Sequence, residues 1–100
     1  MSDNRTISPS ELRDTEINGL ESYRVDQIAS SMSRNGYYSS KPIKVYAYNG
    51  DYFIIEGHHR KAAAIRVGID VQITFVTYET MLIYFPDGEA AMMRGKRIKD

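Results

Sequence analysis

The run Ile54-Ile55-Glu56-Gly57-His58-His59-Arg60-Lys61-Ala62-Ala63-Ala64-Ile65 restricts the fold more than any other part of the chain. It opens with strand formers and closes with helix formers, so a buried strand must become a helix within a few residues. Gly57 stands at the junction, where a glycine admits positive φ and a close backbone approach. The first N–H groups of a helix lack partners inside it and can take an anion. Arg60 carries the planar fork that grips phosphate. The junction therefore predicts a phosphate-handling turn, for a nucleotide. Lys61 fits either phosphate contact or a solvated helix face. Glu56 has two readings of equal weight. It is a strand-end carboxylate paired with Arg60 or Lys61, or it acts through Mg²⁺ or as a general base.

The elements on either side follow from local signals. Ser8-Pro9-Ser10-Glu11 fits a capping box with proline at the first helical position, starting a turn that ends near Leu12. Met1 to Arg5 reads as frayed and Thr15 to Gly19 as a loop. Val25, Ile28, Ala29 and Met32 share one helix face; the helix starts between Ser22 and Asp26 and stops at Asn35-Gly36. After the loop from Tyr37 to Lys41, Pro42 opens a strand in which Ile43, Val45 and Ala47 face inward. Asn49-Gly50 is a hairpin turn, and Tyr52 to Glu56 returns as a central strand. Lys61 to Val67 is a short helix stopped by Gly68, and Ile69 to Phe75 is another strand. Met81 to Phe85 fits helix or strand equally. Pro86-Asp87-Gly88 turns the chain into a last short helix, Glu89 to Arg94. Eight tyrosines invite a stacking role, but Tyr46, Tyr48 and Tyr52 lie where cross-strand aromatic pairs form around a hairpin.

Composition removes whole classes of chemistry. The chain has no cysteine, so disulfides, thiolate metal sites and cysteine nucleophiles are excluded. Thirteen basic residues balance thirteen acidic ones, so the overall charge gives no basic surface for nucleic acid. No apolar run reaches the ~20 residues of a membrane span, and the polar N-terminus shows no signal peptide. A cytosolic setting is expected. His58 and His59 do not make a zinc pair, because adjacent helical residues point about 100° apart. One of them is expected to donate to phosphate and the other to pack or to serve acid–base chemistry.

The order of elements and the Gly57-His58-His59-Arg60 signature, followed by Ala62-Ala63, resemble the ParB/sulfiredoxin superfamily from about Ile7 to Thr77. The resemblance implies a small α+β domain spanning 1–100, with a mixed sheet, short flanking helices, a core over about 7–77 and a C-terminal extension over 78–100. It implies nucleotide binding (ATP, ADP or CTP) with Mg²⁺. His59 aligns with the histidine of the Gly-Cys-His-Arg version and is assigned to phosphate, which leaves His58 for acid–base work beside Glu56. His58 stands where sulfiredoxins have their cysteine, which rules out sulfiredoxin chemistry. The Glu56-Gly57-His58-His59-Arg60 string is similar to that of free serine kinases and of ParB-like toxin domains. By the same resemblance Arg24 and Glu21, and Ser40 and Lys41 before Pro42, border the nucleotide site.

Three functions compete. The first is Mg²⁺-dependent phosphoryl transfer or hydrolysis of a nucleotide or phosphodiester. The second is a nuclease or toxin effector acting on nucleic acid, helped by the basic end Arg94, Lys96, Arg97 and Lys99, with an immunity protein or a larger parent chain as partner. The third is a non-catalytic module that binds a nucleotide or a protein.

Overall fold

The computed structural model describes residues 5–15 and 20–95. The expected frayed start (1–4), most of the expected loop (16–19) and the end of the basic tail (96–100) lie outside them. Strands β1 (Arg5–Ile7), β2 (Leu12–Arg13), β3 (Ile43–Tyr48), β4 (Asp51–Glu56) and β5 (Val71–Phe75) form one mixed sheet in the order β1-β5-β3-β4-β2. The β3–β4 and β1–β5 pairs are antiparallel; β3–β5 and β2–β4 are parallel. The helices are α1 (Ser22–Asn35), α2 (His58–Val67), α3 (Tyr78–Tyr84) and α4 (Glu89–Arg94), with a 3₁₀ turn at Pro9–Glu11. The α+β class and the mixed sheet agree with expectation.

The best-predicted elements are those with strong local chemistry. Ser8 caps the 3₁₀ turn, Pro9 occupies its first position, and Gly36 ends α1. Asn49 and Gly50 both take positive φ, at 53° and 80°, and reverse β3 into β4. At the end of α2 the N–H groups of Gly68 and Ile69 both donate to the Ala64 carbonyl, so Ile69 finishes the helix and β5 begins only at Val71. Arg5, read as frayed, begins a strand instead.

The sheet is covered on both faces. On one, α1 and α2 pack Val25, Ala29, Met32, Ala63 and Ala64 onto Ile43, Val45, Ile54, Val71 and Ile73. On the other, α3 and α4 bring Met81, Phe85, Ala91 and Met92 against Phe53 and Ile55. This corrects the single covered face expected for β3: Ala47 is exposed, while Tyr46 and Tyr48 are half-buried beside the second cluster. Residues 81–85 resolve as helix because Thr77 caps α3, its side chain accepting from the Thr80 amide.

One irregularity decides where a key side chain points. Val45 pairs with Ile54, yet its neighbour Lys44 pairs with Glu56, so β4 carries one residue extra at Ile55. Such a bulge breaks the alternation of faces. Glu56 joins Ile55 on the α3 side, where the Tyr84 hydroxyl donates to Oε1 at 3.1 Å and Lys44 Nζ lies at 3.4 Å.

Candidate functional site

The start of α2 is built by neighbours reaching across the fold. Gly57 takes φ 122°, and a Cβ there would lie 3.0 Å from Ile43 Cγ1. The close approach anticipated at this glycine is thus made to β3 of the protein itself. His58 is 4% exposed, and its Nε2 accepts the Thr15 N–H at 3.1 Å. The Thr15 hydroxyl in turn donates to the Ile54 carbonyl. A ring held so fastens the stretch after β2 to β4 and α2, and it lies away from solvent, contrary to the acid–base role expected for it. His59 is half-buried, and its Nε2 accepts the Glu21 N–H at 3.2 Å. That nitrogen is engaged at the N-cap of α1, where a donor to phosphate was expected. Lys61 is also drawn inward. Its side chain is 14% exposed, and Nζ donates to the Leu12 carbonyl at 3.1 Å and to Asp14 at 2.9 Å.

Arg60 differs from these three. It lines a cavity of about 220 Å³ together with Gln27, Ile28, Ser31 and Met32 of α1 and Gly36, Tyr37, Tyr38 and Lys41 of the following loop. Neither Arg60 nor Lys41 forms an ion pair with a described residue. The loop is braced from within: the Tyr37 hydroxyl donates to the Lys41 carbonyl at 2.8 Å, and the Lys41 N–H donates to the Tyr38 carbonyl at 3.0 Å. Burial pushes the Tyr37 phenol up to about 12, against the opposing pull of the Arg60 charge and the Ile43 backbone. Tyr37 is therefore a neutral donor at any physiological pH. Tyr38, 66% exposed, stands at the cavity's rim. Two cations, two phenols, an amide and a hydroxyl around a partly apolar hollow can hold an anionic group joined to a flat or apolar one.

Other expected site residues fall elsewhere. Glu56 faces α3. Partial burial raises its pKa, but the Tyr84 hydroxyl, Lys44 and then Arg60 more than offset this and hold the carboxyl below its usual value. A carboxylate so stabilised is a poor base near neutral pH. Its Oε1 is engaged by both Tyr84 and Lys44, and among the described residues no second carboxylate stands beside it, as the Mg²⁺ role expected for it would need. Among the described residues no group of three His, Asp or Glu could hold a metal. Arg24 pairs loosely with Glu21 at 3.8 Å on the exposed start of α1. Ser40 is exposed and outside the cavity lining, whereas its neighbour Lys41 is part of it. Gln27 belongs to the stretch at the start of α1 that the resemblance places toward the nucleotide site, whereas Ser31, Tyr37 and Tyr38 were not anticipated, since only the folding of the loop against α1 brings them to Arg60. No described helix is long and apolar enough to cross a membrane.

No family model and no curated protein matches the sequence. Solved structures do match its fold. Sulfiredoxin from Arabidopsis thaliana superposes with a TM-score of 0.61 at 20% identity, over 74% of this chain and 84% of that one. The C-terminally truncated chromosome-partitioning protein ParB from Caulobacter crescentus, complexed with CTP-γ-S, gives 0.65 at 20% identity over 88% of this chain and 55% of that one. Free serine kinase in complex with AMP gives 0.61 at 21% identity over 77% of this chain and 32% of that one. The chain thus spans most of the sulfiredoxin, about half of the ParB and about a third of the kinase. It has the ParB/sulfiredoxin-like fold.

Proposed function

We propose that the cavity bounded by α1, the 36–41 loop and Arg60 binds a nucleotide, with the phosphate at Arg60 and Lys41. The observation that carries this reading is the presence of those two cations, without ion-pair partners among the described residues, in the lining of a hollow that also has Ile28, Met32, Tyr37 and Tyr38. The positive end of the α2 dipole adds to the field that favours an anion near Arg60. Two proteins of the same fold were solved with CTP-γ-S and with AMP. The side chains lining the cavity hold and orient, and none of them is a carboxylate. The reading is therefore a binding module first. Phosphoryl transfer, nuclease action or a toxin role would need a base from elsewhere.

A thermal-shift screen of AMP, ADP, ATP and CTP, with and without Mg²⁺, tests it. A ligand at a hundred times its Kd stabilises the native state by about 2.7 kcal/mol. At least one nucleotide should raise the melting temperature without added Mg²⁺, and Arg60→Ala should abolish that rise while the apo melting temperature stays within a few degrees. A wild-type protein indifferent to all four nucleotides would end the proposal. Product formation under single-turnover conditions would show that chemistry accompanies binding.

A further inference from the structure

The bond between Glu21 and His59 joins the N-cap residue of α1 to the second residue of α2, and both helices line the cavity. α1 supplies Gln27, Ile28, Ser31 and Met32 to one wall, and α2 supplies Arg60 to the other. A backbone N–H can only donate. At 3.2 Å from the Glu21 nitrogen, His59 Nε2 must therefore be the acceptor, which fixes the ring as neutral with its proton on Nδ1.

Resting on the nucleotide reading of this site, we infer that His59 is a positioning residue that sets the spacing of α1 and Arg60 through the Glu21 amide, and that the site binds an anion more tightly while this imidazole is neutral. Protonation would place an N–H opposite an N–H and break the tie. The sign is the reverse of what a phosphate-contacting histidine would give, since an imidazolium touching the ligand strengthens anion binding in acid. Among the described residues, most charged groups on the neighbouring elements are paired. Glu21 and Arg24 on α1 pair with each other, and Asp14 is held by Lys61. Asp26 of α1 is held by Arg66 of α2, and Glu56 of β4 by Lys44 of β3. Glu11 of the 3₁₀ turn and Asp70 before β5 are exposed.

The test uses the full chain and adenosine 5′-methylphosphate, a phosphodiester whose single charge does not change over the range of interest. Between about pH 8 and about pH 5, the range in which histidines titrate, wild-type affinity should fall by about two- to tenfold, the size of one net hydrogen bond. His59→Gln presents a non-titrating acceptor in a similar place; it should keep the affinity seen at the upper pH and lose the pH dependence. His59→Ala should bind weakly throughout. Affinity that rises in acid, or a wild-type profile as flat as that of H59Q, would overturn the inference. Nitrogen-15 spectra of the ring give a reading that needs no ligand. An unprotonated Nε2 in the neutral protein is expected, and a protonated one would refute the tie. If the ester fails to bind at any pH, the nucleotide proposal falls, while the ring spectrum still decides the tie.

Discussion

At the residue scale, the string from Gly57 to Lys61 separates into one side chain that faces a ligand space and four positions that hold the fold. Gly57 is the most constrained of these. Any β-carbon there meets Ile43 and must be carried at φ 122°, so Gly57→Ala should lower the urea-unfolding free energy by at least about 2 kcal/mol. Tyr37 gives an alkaline signature. Its phenol is raised above the usual value of 10.0 to about 12. Its stabilising contribution is therefore complete below the unfolded value and disappears as pH climbs through the folded one. Ultraviolet titration should find Tyr37 ionising late, together with Tyr46, whose phenol is raised by burial and by its bond to the Glu89 carboxylate, and Tyr37→Phe should remove one of the two late components. Arg60 could be singled out from the sequence because guanidinium, glycine and helix start are adjacent there, and it lines the cavity. The work of His58 and His59 was not. Their partners, Thr15 and Glu21, lie 43 and 38 residues away, and a backbone amide leaves no mark in a sequence.

At the element scale, legibility followed the strength of local chemistry. Helix α1, the Asn49-Gly50 hairpin, α2 and α4 were readable, the helices chiefly by the glycines that end them, although α2 begins at His58 and not at the expected Lys61. Strands β1 and β2, of three and two residues, exist only because β5 and β4 offer them a ladder. Residues 81–85 show an apolar run that either periodicity accommodates, and Thr77 decides the matter as an N-cap. The bulge at Ile55 was invisible, because a one-residue slip in pairing changes no local propensity, yet it carries Glu56 to the α3 side. Helix α3 earns its place by packing: Met81 and Phe85 are fully buried against Phe53 and Ile55. Phe85→Ala should cost about 3–5 kcal/mol in chemical denaturation. Because the lost contacts lie on the far side of the sheet, nucleotide affinity measured on the fraction still folded should be unaltered.

At the scale of the whole molecule, the sheet separates the cavity on the α1–α2 side from Glu56, Tyr84 and the α3–α4 core on the other. Arg60 reaches both electrically, since its charge lowers the pKa of Tyr37 on one side and of Glu56 on the other. An anion seated on the guanidinium would cancel much of that field. The Glu56 carboxyl should then titrate at higher pH with ligand than without, a difference that carbon-13 spectroscopy of the side chain can follow, and Arg60→Ala should reproduce the ligand-bound value in the empty protein. A group that never meets the ligand would thus act as a voltmeter wired through the sheet, registering whether the chamber on the opposite side is charged or vacant.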